Sequence, residues 1–158
     1  TFVVPALGIY YLYRAGYVKS LHLDDLADRR LPYFLTAFFY AFATYFFSYQ
    51  LAPLSEIAPE IGIVLGSITV SIAIVGVISM SWKISAHGTG IGGLLGAVLG
   101  IAVKFGENRL LYPFLVFVIL GGMLMSARLQ LNAHTPAQVS AGFSLGILVS
   151  VITVWWFV

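Results

Sequence analysis

Two histidines, one arginine and two helix openings carry the reactive chemistry that the sequence makes available. Ser85-Ala86-His87-Gly88 leads into one apolar run, Arg128 closes the next, and His134-Thr135-Pro136-Ala137-Gln138 opens the one after that. Thr135 is placed as an N-cap, Pro136 at the first helical position and Gln138 at the third, the spacing of a capping box. Unpaired backbone N–H groups and the positive end of a helix then lie beside His87 and beside His134, where an anion is welcome. An arginine fork matches phosphate oxygens, although a guanidinium at a headgroup boundary can also simply snorkel. Together these groups suit phosphoryl transfer: one histidine attacks phosphorus, the other protonates the departing oxygen, and arginine holds the oxygens on which charge builds. A single loop histidine is more often an ordinary hydrogen-bonding residue, so it is the combination that carries the reading.

The elements that position these groups follow from composition. Of 158 residues, 60% are hydrophobic and 9% charged, with eight Lys/Arg against six Asp/Glu, and the mean hydropathy is +0.98. Soluble domains carry about 25% charged residues, which excludes an ordinary water-facing surface. The apolar residues recur in blocks of about the length, ~20 residues, that crosses a ~30 Å hydrocarbon layer as a helix. Six segments, near 2–17, 33–52, 61–82, 88–104, 111–127 and 137–158, predict an all-α, polytopic membrane bundle in one domain over 1–158. The first segment starts abruptly at Thr1 without a methionine, as the remainder of a longer chain would. The small, scattered charge argues against a nucleic-acid partner. The absence of cysteine removes disulfides and thiolate chemistry.

Alternating spans put the connections 18–32, 83–87 and 128–136 on one membrane face. His22, His87 and His134 fall there, one in each connection, with Arg29, Arg30, Lys83 and Arg128. Polar residues collect in loops generally, but here most of the proton-transfer and anion-binding capacity gathers at one end. Gly88, Gly92, Gly96 and Gly100 recur every fourth residue, and Gly62/Gly66 and Gly142/Gly146 repeat the spacing. Such stripes expose bare backbone and predict close helix packing rather than a phosphate-cradling loop. Trp155 and Trp156 fit an interfacial belt.

In these motifs the chain resembles the type 2 phosphatidic acid phosphatases, integral-membrane relatives of the vanadium haloperoxidases. That family has Ser-x-His, then about 40 residues later Arg-x5-His-x3-Asp. The matching residues are Ser85-Ala86-His87 and Arg128 through His134, with Gln138 in the last place. The resemblance implies a haloperoxidase-like helical core and a metal-independent lipid phosphatase without a cofactor. It implies His134 as the nucleophile that becomes phosphohistidine, His87 as general acid, and Arg128, helped by Ser85, as phosphate ligands. The family's first motif, Lys-x6-Arg-Pro, is imperfect here: Arg30, near Pro32, is the favoured arginine, and Arg29 is a second phosphate-ligand candidate. Ala127 replaces a common serine. Gln138 stands where the family has an aspartate that orients the nucleophilic imidazole; glutamine can orient it but supplies no charge.

Two other functions compete. Asp24-Asp25-Leu26-Ala27-Asp28 has the DDxxD form that holds magnesium and diphosphate in prenyl transfer, but Glu56, Glu60 and Glu107 are assigned to the opposite face. A transporter or packing subunit, or a site converted to lipid-phosphate binding, is the non-enzymatic alternative; ionisable groups near mid-membrane, the mark of a transport path, are lacking. The expected partners are the bilayer and a lipid phosphate, with phosphatidate, phosphatidylglycerol phosphate and polyprenyl diphosphate all compatible. Oligomeric state is left open. Lys/Arg counts place the active end in the cytoplasm, whereas the resemblance implies an extracytoplasmic site on a bacterial cytoplasmic membrane; the resemblance is given more weight.

Overall fold

The computed structural model describes residues 3–21 and 25–158. The expectations for His22 and Asp24 lie outside the described residues. The described elements are helical: α1 (Val3–Arg14), α2 (Leu26–Tyr45), a π-helical turn (Phe46–Gln50), α3 (Ala52–Ile57), α4 (Glu60–Ile78), α5 (Ala86–Phe105), a 3-10 turn (Asn108–Leu110), α6 (Leu111–Gln130) and α7 (Pro136–Phe157). Among the described residues, five segments are long and apolar enough to cross a membrane: Leu26–Gln50, Glu60–Ile78, Ala86–Phe105, Asn108–Gln130 and Pro136–Phe157. The described helix of the first segment, α1, has 12 residues. At 1.5 Å per residue that is about 18 Å, short of a hydrocarbon core of ~30 Å.

Side-chain exposure is that of a chain solvated by something other than water. α6 turns Val116, Ile119, Leu120 and Met123 outward, each at least half exposed. A run of large aliphatic side chains on an outer face is untenable in water and ordinary against lipid tails.

The chain divides into two compact units, Thr1–Lys83 and Ile84–Val158. In the first, α2 and the π-helical turn after it pack on α4 through small residues: Gly66 faces Thr44, Gly62 faces Ser48 of the turn, and the hydroxyls of Thr44 and Thr69 lie 3.1 Å apart. α2 begins seven residues before the apolar run predicted from sequence and contains Pro32. Its polar opening turn escapes a hydropathy window, so Arg29 and Arg30 belong to the helix rather than to the connection before it. Asp28, buried at 6% exposure, accepts a hydrogen bond from the Lys19 backbone N–H through Oδ2 (3.1 Å). That bond ties the preceding loop to the helix, a structural use for one aspartate of the DDxxD sequence.

In the second unit α5 and α7 are parallel and in close contact. A Cβ built on Gly88 would lie 2.8 Å from the Val139 carbonyl oxygen, and one on Gly96 would lie 2.8 Å from that of Ile147. Between them, Gly92 presses on the Phe143 carbonyl, and from the other side Gly142 and Gly146 press on those of Ser85 and Thr89. The matched positions advance together along both helices, which fixes the parallel sense. α6, which joins them in sequence, runs back along α5 with Gly121 against Ile91 and Leu95. At the far end, Gly106 caps α5 in the left-handed conformation (φ 65°) that glycine adopts without strain. There Lys104 donates from Nζ to the carbonyls of Val154 (3.0 Å) and Trp155 (2.9 Å), covering groups that the end of α7 leaves unpaired.

Candidate functional site

The opening of α5 is built on Ser85. This residue is wholly buried; its Oγ accepts from the Gly88 N–H (3.1 Å) as N-cap. Its carbonyl accepts from the Thr89 N–H (3.0 Å) and hydroxyl (3.1 Å). Its own N–H donates to the Gln138 carbonyl (3.2 Å), binding the start of α5 to the first turn of α7. Sequence reading places Ser85 as a phosphate ligand; in the structure its hydroxyl organises the helix that carries His87. The signal was present, since serine immediately before a glycine-rich helix is a strong N-cap.

The opening of α7 follows the sequence expectation. Thr135 is the N-cap, Pro136 occupies the first turn, and Gln138 completes a capping box. The Thr135 N–H donates to Gln138 Oε1 (3.0 Å), and the Gln138 N–H donates to Thr135 Oγ1 (3.4 Å). The turn from α6 into this cap runs through Asn132 at φ 50°, a left-handed conformation that asparagine tolerates better than most side chains. The Ala133 N–H donates to the Arg128 carbonyl (3.1 Å), closing the turn.

These local structures bring Ser85, His87, Arg128, His134 and Gln138 to one end of the second unit. His87 is the second residue of α5 and is exposed; His134 directly precedes the α7 cap and is buried, at 7% exposure. Arg128 lies in the last turn of the antiparallel α6, seven residues beyond the level at which Gly121 meets Ile91 and Leu95. Its Nε is buried and has no hydrogen-bond partner. A desolvated guanidinium N–H is costly to leave unpaired, and an anionic oxygen is the acceptor that satisfies it best. Two helix N-termini and one arginine thus give this end of the unit a positive character.

Arg29 and Arg30 belong to the first unit. Arg29 is buried at 5% exposure. Arg30 is exposed and donates from Nη2 to the Met80 carbonyl (3.2 Å). Among the described residues no three His, Asp or Glu side chains gather as metal ligands would. Comparison with family models, curated proteins and solved structures gives no match for the chain.

Proposed function

We propose that the chain is a metal-independent lipid phosphatase similar to the type 2 phosphatidic acid phosphatases, working at the outer face of a bacterial cytoplasmic membrane. The observation that supports it most is the parallel α5–α7 pair: close contact of glycine with backbone sets two histidine-bearing helix openings side by side, and the helix between them ends in Arg128.

The reaction proceeds in two displacements. The His134 imidazole attacks phosphorus while the bond to the lipid oxygen breaks, and His87 delivers a proton to that oxygen. Water, deprotonated by His87, then attacks the phosphohistidine; the phosphorus–nitrogen bond breaks and inorganic phosphate leaves. Arg128 holds the non-transferring oxygens, and the resemblance implies Arg30, or Arg29, as a further arginine ligand. Both helix N-termini favour the same charge. Gln138 acts through the backbone: by fixing the Thr135 N–H it fixes the turn that carries His134.

A second reading, a lipid-phosphate-binding or transport protein of little activity, is favoured by one observation: Gln138 brings no negative charge, and its Oε1 is engaged in the cap. Phosphate release from phosphatidate, phosphatidylglycerol phosphate and polyprenyl diphosphate, presented to the detergent-purified protein, separates the two. Hydrolysis of at least one substrate supports the phosphatase; saturable binding of all three without phosphate release supports the alternative.

A further inference from the structure

A cavity of about 290 Å³ lies among α5, α6 and α7, lined by apolar and glycine residues. Its α6 wall runs from Phe114 through Val118 and Gly122 to Met125, about 16 Å along the helix axis. Leu99 and Val118 on its lining are more than two-fifths exposed, so it opens sideways through the apolar flank of the unit. Met125 precedes Arg128 by three residues, a spacing that puts the two on one helix face. The apolar cleft therefore ends one turn beneath the guanidinium whose buried Nε lacks a partner.

We propose that this cleft holds a single hydrocarbon chain, the tail of an amphiphile whose phosphate lies at Arg128. The proposal rests on the phosphate-site reading above and narrows its substrate: the cleft measures chain length. Charge complementarity selects the occupant, since a slot apolar along its walls and cationic at its end fits an anionic head with one apolar tail. Size sets the reach: an apolar cavity of ~150 Å³ accepts a benzene molecule, so 290 Å³ has space for about a dozen carbons. A second acyl chain, where the lipid has one, lies outside. On the α6 side, Gly122 lines the slot without a side chain. A Cβ added at Gly122 would meet nothing within 4 Å, so this residue can be enlarged into the slot without disturbing the helix contacts.

The test uses n-alkylphosphonates of six to sixteen carbons, which cannot be hydrolysed, bound to the full chain in an uncharged detergent; a terminal diazirine on each allows photolabelling. Affinity is expected to rise severalfold for each pair of carbons up to about twelve and then level off, with label on residues 114–125. In Gly122→Leu, and independently in Val118→Phe, the plateau should move to chains about four carbons shorter. Arg128→Gln should weaken all lengths alike and leave the plateau where it is. Affinity that climbs evenly to sixteen carbons, a plateau unmoved in both cleft variants, or label confined to residues outside the cleft would overturn the proposal. A second copy of the chain seated in the cleft would also overturn it, and would appear as a crosslinked dimer that long-chain phosphonates do not displace. Because the phosphonates report binding without turnover, a plateau that moves as expected in a protein releasing no phosphate would sink the hydrolase and leave the chain slot standing.

Discussion

At the scale of single residues, the end of the second unit that carries His87 and His134 is held by hydrogen bonds that fix turns, and the variants that matter separate folding from chemistry. Gln138→Ala removes the acceptor for the Thr135 N–H and should cost ~1 kcal/mol of stability, within the usual range for a lost cap. Gln138→Glu keeps the reach, adds a negative charge at a helix N-terminus and should restore the melting temperature. Turnover that falls in Gln138→Ala and recovers in Gln138→Glu ties activity to the turn; turnover unmoved in both removes Gln138 from the site. The two neighbouring arginines part in the same way. Arg30 is exposed, so Arg30→Gln should leave the fold intact and weaken vanadate binding by ~1.5–3 kcal/mol, about the strength of one charge-assisted contact. Arg29 is buried beside the buried Asp28, and Arg29→Gln should lower the melting temperature first. Vanadate affinity unchanged in a folded Arg30→Gln protein would pass the role to Arg29. Ser85 shows that one residue type carries two readings: a serine before a histidine reads equally as ligand and as cap, and the structure shows the cap, a wholly buried hydroxyl that accepts from the Gly88 N–H.

At the scale of elements, the α5–α7 pair is the part most legible in the sequence. Glycine at every fourth position has one physical consequence in a long apolar helix, a flat stripe on which another backbone can rest. Gly92 and Gly90 test this directly. Gly92 faces the Phe143 backbone, whereas a Cβ at Gly90 meets nothing. Gly92→Leu should therefore destabilise the second unit by ~1–3 kcal/mol or more. Gly90→Ala should be neutral or stabilise by up to ~1 kcal/mol. Thermal unfolding in detergent compares them, and equal melting temperatures would contradict the packing described. The capping box at Thr135 was legible for a similar reason, because its spacing leaves little else for the residues to do. Helix starts rich in charge were not. α2 opens with Asp28, Arg29 and Arg30, which a hydropathy profile assigns to a loop, and a proline two residues later hides the continuity. The end of α1 was equally hidden: Tyr10 to Tyr17 reads as apolar, yet the backbone turns at Gly16 with φ 81°.

At the scale of the whole molecule, five helical segments among the described residues can cross a membrane, and the proposed function needs the histidine-bearing end of the second unit on one side and the α5–α6 turn on the other. The chain has no cysteine, so single substitutions report without background. Asn132→Cys and Ala86→Cys should react with an impermeant maleimide from the same side, and Asn108→Cys only from the opposite one. Labelling of all three from one side would remove the membrane arrangement on which the lipid substrate depends. The phosphatase mechanism stands or falls on whether His134 carries the phosphoryl group during turnover. Purified protein mixed with a lipid phosphate labelled at phosphorus and quenched within a single turnover should hold acid-labile, base-stable label. Peptide mapping should assign that label to His134, and His134→Ala should lose both label and phosphate release. Equal label in a folded His134→Ala protein, or phosphate release from the parent with no phosphoenzyme at any quench time, would rule out His134 as the nucleophile.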